Sequence, residues 1–221
     1  MQTPASPAFW DAIDTVLVDM DGTLLDLAFD NFFWGEVVPT RFAELRGLPA
    51  AEARRAVAAR FDGAQGTLAW YCLDHWTREL GLDLGRLKRD YRHLIRFLPG
   101  APEFLAAVRA RGKTLVIVTN AHHETLAVKV EQTGIDRLVD RLVTSHDFEA
   151  PKESGEFWRA LERHHPFDPQ RAMLIEDSRA VLVAARDHGL TNAIAIRRPD
   201  STLPAREVDG FPAVDGVADL V

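Results

Sequence analysis

Four short segments of the chain are almost uniformly apolar, and polar residues bound each of them. They cover residues 15–18, 114–118, 172–175 and 193–196, and residues 141–144 form a weaker fifth segment. Strands buried on both faces of a parallel sheet show this continuous hydrophobicity, whereas half-exposed strands alternate apolar and polar positions. The pattern therefore predicts a parallel sheet built from these segments.

Helical patterns lie between the predicted strands. Three of them stop at a glycine, namely Gly112, Gly134 and Gly189, and Ser178 stands where an N-cap is expected. Strands that alternate with helices in this way predict an α/β fold with a Rossmann-like parallel sheet. Prolines recur after residue 199, which predicts an irregular tail.

One long segment interrupts this alternation directly after the first strand. Residues 25–98 contain no strand-like run and show helical periodicity, for example over residues 51–61 and 68–80. We expect this segment to form a helical cap domain, and residues 1–24 and 99–221 to form the α/β core.

Composition narrows the class of protein. The net charge of −7 without a basic run argues against nucleic-acid binding, which requires neutralisation of phosphates. A single cysteine, Cys72, excludes an intrachain disulfide. Residues 1–7 contain no signal-peptide pattern, and no run of about 18 apolar residues predicts a membrane span. The expected location is the cytoplasm, and either a monomer or a dimer is compatible with the sequence.

Two carboxylates follow the first predicted strand. Asp19 and Asp21 stand at its carboxyl end, just before Gly22. A turn explains an isolated Asp-Gly pair, but it does not explain a second aspartate at the end of a buried strand. Ligands of open α/β sheets bind beyond the carboxyl ends of the strands. A functional site is therefore predicted there.

Polar residues also end the other predicted strands. Thr119 and Asn120 follow the second strand, Glu176 and Asp177 end the strand over residues 172–175, and Lys152 lies between them. Carboxylates held close together need a cation or a proton. Oxygen-only ligands suit Mg²⁺, and a lysine among them balances anionic oxygens, as phosphoryl transfer requires.

These residues resemble the motifs of the haloacid dehalogenase superfamily. The D-x-D-G-T segment at residues 19–23 matches its first motif, Thr119 the second, Lys152 the third, and Glu176 with Asp177 the acidic fourth. The resemblance covers the whole chain, including the helical insertion. It implies a Mg²⁺-dependent phosphohydrolase.

The resemblance also implies a role for each motif residue. Asp19 is the expected nucleophile, which forms an aspartyl-phosphate, and Asp21 the general acid and base. Mg²⁺ would bind the carboxylates of Asp19 and Asp177 and the backbone carbonyl of Asp21. Glu176 would support the waters of the metal, and Lys152 would neutralise the nucleophile and the transferring group.

The same resemblance implies which residues bind phosphate and narrows the class of reaction. Thr119 and the amide of Asn120 are expected to bind phosphate oxygens. The dehalogenases of the superfamily lack an acid at the position of Asp21, so an aspartate there favours phosphatases and phosphomutases.

Shorter strings within the predicted cap and beside the second motif are similar to purine mononucleotide phosphatases of the GMP/IMP nucleotidase type. They lie at residues 26–34, 70–76 and 119–122. Asp30 and Asn31 lie nearest the catalytic loop, and His122 follows the second motif, so we expect all three to line the substrate pocket.

The aromatic residues of the predicted cap allow two interpretations. Aromatic faces can stack on a purine. However, Trp70, Leu73 and Trp76 have helical spacing, which is typical of core positions. The neighbouring His122 and His123 suggest a metal site, but adjacent histidines do not face one ion easily, so non-metal roles are expected.

The leading hypothesis is a 5′-nucleotidase that acts on GMP and IMP as small phosphate monoesters. Three alternatives stay open at this point. The chain could be a phosphatase for a sugar phosphate or phosphoglycolate, a β-phosphoglucomutase-like phosphomutase, or an inactive binding or regulatory protein.

Overall fold

Six parallel strands form one sheet at the centre of the molecule. The computed structural model describes residues 7–221, and the strands lie in the order β3-β2-β1-β4-β5-β6. They are β1 (Thr15–Val18), β2 (Thr114–Thr119), β3 (Arg141–Thr144), β4 (Ala172–Glu176), β5 (Asn192–Ile196) and β6 (Ala213–Val214). All five segments predicted as strands are strands, and the parallel α/β fold is confirmed.

Eleven α-helices accompany the sheet in the part of the chain that the structure describes. They are α1 (Pro7–Asp11), α2 (Ala28–Phe32), α3 (Val38–Arg46), α4 (Ala50–Phe61), α5 (Leu68–Tyr71), α6 (Leu73–Leu80), α7 (Leu84–Asp90), α8 (Ala101–Ala110), α9 (His123–Thr133), α10 (Gly155–His164) and α11 (Arg179–His188). A π-helical turn over Phe33–Val37 joins α2 to α3.

The sheet buries both of its faces, which explains the continuously apolar strands. Val16 and Val18 of β1 join a hydrophobic cluster with residues of α8 and α9. Leu17, on the opposite face, packs with residues of α10 and α11. Successive side chains of a strand point to opposite faces, so a strand with helices on both sides must be apolar at every position.

Residues 25–98 build a hydrophobic cluster of their own. It contains residues of α3, α4, α6 and α7 together with Phe33 and Val37. The two chain segments that enter and leave this helical segment run side by side. The amide of Asp26 donates to the carbonyl of Arg96 at 3.0 Å, and the amide of Leu98 donates to that of Leu24 at 2.8 Å.

Two local predictions were wrong. Residues 68–80 form two helices rather than one, because Cys72 adopts an extended conformation between α5 and α6. The break leaves the carbonyl of Trp70 free to accept a hydrogen bond from Nε1 of Trp76 at 2.8 Å. The tail is not wholly irregular, since it adds β6 to the sheet and ends in a 3₁₀ helix over Val217–Leu220.

None of the helices described between residues 7 and 221 is long and apolar enough to cross a bilayer. The predicted absence of a signal peptide concerns residues 1–7, of which all but the last lie outside the described residues. The cytoplasmic location stays a prediction.

Candidate active site

The loop after β1 is held by backbone hydrogen bonds. The amide of Asp19 continues the ladder to the carbonyl of Ile175 at 2.9 Å, and the amide of Gly22 donates to the carbonyl of Leu25 at 2.7 Å. Gly22 has a φ of 89°, a conformation that favours glycine. A Cβ at this position would lie 2.9 Å from the carboxylate of Asp177. The glycine therefore allows the loop to lie directly against the end of β4.

Lys152 lies at the centre of the site, where its ammonium group donates three hydrogen bonds. Its Nζ lies 2.5 Å from Oδ1 of Asp19, 2.8 Å from Oε2 of Glu176 and 2.9 Å from the carbonyl of Val118. The side-chain oxygen of Asn120 accepts from the amide of Lys152 at 2.9 Å, which positions the lysine. Burial alone lowers the pKa of Lys152, but the two carboxylates outweigh burial and raise it above its ordinary value.

Three carboxylates converge beside this lysine. One oxygen each of Asp19, Glu176 and Asp177 lies within 4.8 Å of the others. Burial, followed by the charge of Glu176, raises the pKa of Asp19 to about 7. Burial is also the largest cause for Glu176, whose pKa rises to about 7, and for Asp177, whose pKa rises to about 6. The surroundings of the cluster therefore do not fully compensate the negative charge of three ionised carboxylates.

This cluster fits a hard divalent cation. Oδ2 of Asp19 is buried and has no hydrogen-bond partner among the described residues. A buried carboxylate oxygen without a partner is energetically costly unless a cation or proton binds it. Carboxylate oxygens are ligands that Mg²⁺ prefers. The donor set of Asp19 and Asp177 is consistent with the predicted magnesium site.

Glu176 and Asp177 have further partners around the start of α11. Oε1 of Glu176 accepts from the amides of Asp177 and Ser178 at 3.0 Å and 2.9 Å. Arg206 donates to the carbonyl of Asp177 and, at 3.0 Å, to its Oδ2. Sequence reasoning did not identify Arg206, which lies in the tail.

Asp21 belongs to a second buried charge cluster. Nζ of Lys129, on α9, lies 2.6 Å from Oδ1 of Asp21 and 2.6 Å from Oδ2 of Asp30. Nζ of Lys88, on α7, lies 2.9 Å from Oδ1 of Asp30. Two lysines and two aspartates therefore form a chain that begins in the helical segment and ends at Asp21.

Burial dominates the electrostatics of this chain of charges. It raises the pKa of Asp21 above its ordinary value, because the charge of Lys129 compensates only in part. Burial also acts to raise the pKa of Asp30, but its two ammonium neighbours outweigh burial and lower that pKa. Desolvation lowers the pKa of Lys88, which also lies 4.4 Å from the ring centre of Phe33.

Sequence reasoning missed both lysines of this cluster. Each lysine nevertheless occupies a position in the periodic pattern of buried residues along its helix, which is a weak signal in the sequence. Lys129 follows Thr125 and Val128 on the buried face of α9, and Lys88 follows Leu84 on that of α7. A lysine at such a position indicates a buried ion pair.

The other predicted residues lie at the same cavity. Thr119 accepts at its hydroxyl from the amide of Ala121 at 3.0 Å. Asn31 donates to Oδ2 of Asp200 at 2.7 Å. His122 accepts at Nδ1 from the amide of Glu124 at 3.4 Å. Asp30 lines the cavity as well, but both of its oxygens are already bound by lysines.

A cavity of about 910 Å³ lies between the carboxyl ends of the strands and the helical segment. Its volume falls within the range of small-molecule sites. Asp19, Asp21 and Lys152 form one end of its lining. Five aromatic residues of the helical segment also line it: Trp34, Phe61, Trp70, Tyr71 and Trp76. Except for Tyr71, their rings contact one another edge to face.

Several side-chain contacts join the helical segment to the rest of the chain around this cavity. The hydroxyl of Tyr71 donates to Oε1 of Glu153 at 2.5 Å, next to Lys152 in the chain. The pair between Lys129 and Asp30 is another such contact. Arg96 pairs with Asp26 at 2.9 Å within the segment, donates to Oγ of Ser201 at 2.9 Å, and does not line the cavity.

Comparisons with known proteins agree with this architecture. A chain of Escherichia coli and one of Shigella flexneri, both GMP/IMP nucleotidase YrfG, are 37% identical to this chain over 212 residues, 96% of each protein. The crystal structure of an HAD phosphatase from Thermococcus onnurineus matches with a TM-score of 0.81 at 22% identity and covers 94% of this chain and 96% of its own. That of CbbY from Rhodobacter sphaeroides in complex with phosphate matches with a TM-score of 0.65 at 20% identity, over 94% and 96%.

The model of one family of hydrolases matches residues 13–189, which include β1 to β4, all the motif residues and the whole of α11. The predicted superfamily and the predicted hydrolase class are thereby confirmed. This chain belongs to the haloacid dehalogenase-like hydrolases.

Proposed function

We propose that the protein is a Mg²⁺-dependent phosphomonoester hydrolase that acts on purine mononucleotides such as GMP and IMP. The observation that carries the proposal is the 37% identity to a GMP/IMP nucleotidase over 96% of both chains. The geometry of the strand ends supports it, because Asp19, Asp21, Lys152 and Asp177 line one end of a cavity with an aromatic wall.

Asp19 is the proposed nucleophile. Its carboxylate oxygen attacks phosphorus and forms an aspartyl-phosphate, while the ester bond to the leaving oxygen breaks. Lys152, 2.5 Å from Asp19, offsets the negative charge of the nucleophile and of the transferring group. Thr119 and the amide of Asn120 are the proposed donors to the phosphate oxygens.

Asp21 is the proposed general acid and base. In the first step its carboxyl group gives a proton to the leaving oxygen of the nucleoside. In the second step its carboxylate takes a proton from the water that attacks phosphorus, which releases inorganic phosphate and restores Asp19. Burial supports the acid role, since it raises the pKa of Asp21.

Asp19, Asp177 and the backbone carbonyl of Asp21 are the proposed ligands of Mg²⁺. When bound, the cation neutralises charge on the phosphate oxygens and on the carboxylate cluster. Glu176 accepts hydrogen bonds from two backbone amides and from the ammonium group of Lys152. These bonds fix its orientation next to the proposed Mg²⁺ ligands, which it supports without binding the metal itself.

We further propose that residues 25–98 act as a cap on a core of residues 1–24 and 99–221. The separate hydrophobic cluster of the segment and the paired crossings near Asp26 and Leu98 support this division. Closure over the cavity removes bulk water, which strengthens the electrostatic interactions of the bound phosphate with Lys152 and the metal site. Asn31 of the cap and His122 of the core are proposed as substrate contacts, whereas Asp30 acts through Lys129.

Phosphate release from a panel of monophosphates tests the substrate. With Mg²⁺ present, we expect kcat/KM for GMP and IMP to exceed that for ribose 5-phosphate and phosphoglycolate by at least about 10-fold. Equal rates would refute the nucleotidase and leave the phosphatase. An isomeric product without free phosphate would indicate a mutase, and no reaction with any substrate would indicate a binding protein.

The substitution Asp19→Asn tests the nucleophile. We expect turnover to fall by at least about 10⁴-fold, since no carboxylate remains to attack phosphorus. Asp187→Asn removes an exposed aspartate of α11 and serves as the matched control. Substantial turnover by folded Asp19→Asn protein would exclude nucleophilic catalysis by this residue. Oligomeric state and the absence of nucleic-acid partners stay predictions.

A further inference from the structure

A second group of metal-ligating side chains lies beside the cavity, apart from the carboxylates. It consists of Cys72, His122 and His146, each of which offers one ligand atom within 4.8 Å of the other two. The rings of His122 and His146 are perpendicular, and their centres are 4.9 Å apart. The proposed hydrolysis uses neither Cys72 nor His146.

The three residues come from both sides of the interface between the helical segment and the sheet. Cys72 occupies the break between α5 and α6, where its extended backbone interrupts the helix. His122 is the N-cap residue of α9, and His146 lies in the 3₁₀ turn that follows β3. Oγ1 of Thr144 donates to the carbonyl of Ala121 at 2.6 Å, which ties the two histidine loops together.

His146 is prepared to bind a metal. Its Nε2 is buried and has no hydrogen-bond partner among the described residues. A buried imidazole nitrogen without a partner is available as a metal ligand. Burial, followed by the charges of His122 and His123, lowers the pKa of His146 to about 4, so the ring is neutral near neutral pH. A neutral imidazole leaves a lone pair available.

We propose that Cys72, His122 and His146 bind one soft divalent cation of the Zn²⁺ class and leave a coordination position open. A thiolate with two imidazoles is a donor set that Zn²⁺ prefers and that Mg²⁺ does not. Zn²⁺ bonds of about 2.0–2.3 Å require the ligand atoms to approach more closely than 4.8 Å. Cys72 and His122 are only partly buried, so rotation of their side chains supplies the movement. The thiol releases its proton to solvent on binding.

Neighbouring groups do not complete an equivalent site. His123 points toward Asp147, with 3.7 Å between Nε2 and Oδ1, and its ring centre is 6.1 Å from that of His146. Asp74 lies 3.8 Å from Nε2 of His122 but is exposed. The pairing of His122 with His146, rather than with its sequence neighbour, resolves the difficulty that adjacent histidines present.

The site would join the helical segment to the sheet. A metal bound by Cys72 on one side and by two histidines on the other resists separation of the two parts, and so holds the cavity closed. This consequence rests on the proposed function, whereas metal binding itself does not. We therefore expect Zn²⁺ to slow turnover of the wild-type protein at saturating Mg²⁺, and to slow it less in Cys72→Ala.

Co²⁺ is the probe that tests binding directly. The full chain, freed of metal and then supplied with excess Mg²⁺ to occupy the carboxylate cluster, is titrated with Co²⁺. We expect one equivalent per chain and a thiolate-to-Co²⁺ charge-transfer band, which a single equivalent of Zn²⁺ abolishes. Because Cys72 is the single cysteine of the chain, such a band identifies its ligand unambiguously.

Variants distinguish this site from incidental thiol binding. Cys72→Ala should lose the band. Loss of a group that only supports a ligand weakens metal binding roughly 10–100-fold, so folded His146→Ala, which loses a ligand, should weaken Co²⁺ binding by more than this. His123→Ala is the matched control and should keep the band; His146→Gln replaces His146→Ala if the latter unfolds. Absence of the band in the wild type, or an undiminished band in the His146 variants, would overturn the proposal whether or not the protein hydrolyses nucleotides.

Discussion

Each of the two motif aspartates is paired with its own buried lysine. Asp19 contacts Lys152 at 2.5 Å, and Asp21 contacts Lys129 at 2.6 Å. Lys152 is shared with Glu176, while Lys129 is shared with Asp30 of the helical segment. The two carboxylates are therefore linked to different parts of the molecule. Lys152 links Asp19 to the end of β4, whereas Lys129 links Asp21 to the helical segment.

Replacement of Lys129 tests whether it positions Asp21. In Lys129→Met we expect turnover of nucleoside monophosphates, whose leaving oxygen needs a proton, to fall about 10²–10³-fold. Turnover of p-nitrophenyl phosphate, whose leaving group needs little acid assistance, should fall less than about 10-fold. Lys113→Met, outside the cavity lining, is the control. An equal loss with both substrates would indicate a merely structural role for Lys129.

Mg²⁺ binding should depend on pH because the cation competes with protons for the cluster. The pKa of Asp19 is raised to about 7 and that of Asp177 to about 6, so both carboxyls hold protons in mildly acidic solution and lose them as the pH rises. The increase of Tm on addition of Mg²⁺ should therefore be larger at pH about 8 than at pH about 5.5.

The variant Asp177→Asn is the control for this measurement. It removes a proposed ligand, so the Mg²⁺-dependent increase of Tm should be small at both pH values. A wild-type increase that does not change with pH would contradict competition between protons and Mg²⁺ at these carboxylates.

At the scale of elements, the site depends on how closely the loop after β1 approaches the end of β4. Gly22 makes this approach feasible, since an added Cβ would lie 2.9 Å from both Asp177 and Pro199. Helices α7 and α9 show a similar close packing at Gly85, beside the carboxylate of Glu124. The contact at Gly85 places α7 of the helical segment against the first turn of α9, the helix that follows β2.

The variant Gly22→Ala should therefore be damaged in two ways. We expect a loss of unfolding free energy of about 1–2 kcal/mol from the positive φ, together with weaker Mg²⁺ binding because the new Cβ displaces Asp177. Gly112→Ala is a matched control, because Gly112 also has a positive φ but no atom within 4 Å of the added Cβ. It should lose stability only. Equal Mg²⁺ affinity in the two variants would refute the proposed steric effect.

At the scale of the whole molecule, the cavity combines two surfaces of different chemistry. The strand ends supply charged and polar groups, whereas the helical segment supplies an aromatic wall. Trp70 and Trp76 belong to the hydrophobic cluster of the segment and line the cavity at the same time. The core and substrate interpretations of these tryptophans therefore do not exclude each other.

Removal of one wall residue should separate base recognition from phosphate chemistry. In Trp70→Ala, kcat/KM for GMP should fall about 5–150-fold, which corresponds to the loss of about 1–3 kcal/mol of base stacking. Activity on ribose 5-phosphate, which has no base, should change much less, and this substrate is the internal control. A parallel loss on both substrates would indicate that Trp70 only supports the fold of the segment.

Much of the architecture was predictable from local patterns. Continuously apolar strands and glycine-terminated helices indicated the sheet correctly, because burial on both faces imposes that pattern on each strand separately. Residues 68–80 and the tail were misjudged. The break at Cys72 is accompanied by a hydrogen bond from the Trp76 indole to the carbonyl of Trp70, and β6 pairs with the edge of β5. Neither contact is visible in the local pattern of apolar residues.

The sequence by itself determined the sheet, the helical character of most of residues 25–98, the hydrolase family and the residues that end the strands. These features are local, since parallel strands bring their carboxyl ends to one edge wherever the helices lie. Only the tertiary structure decided which buried charges meet. Lys129 is 108 residues from Asp21 along the chain and 99 from Asp30, and no local periodicity encodes such a pairing. Burial and long-range ion pairs, rather than residue type, also determine why the pKa of Asp21 rises while that of Asp30 falls.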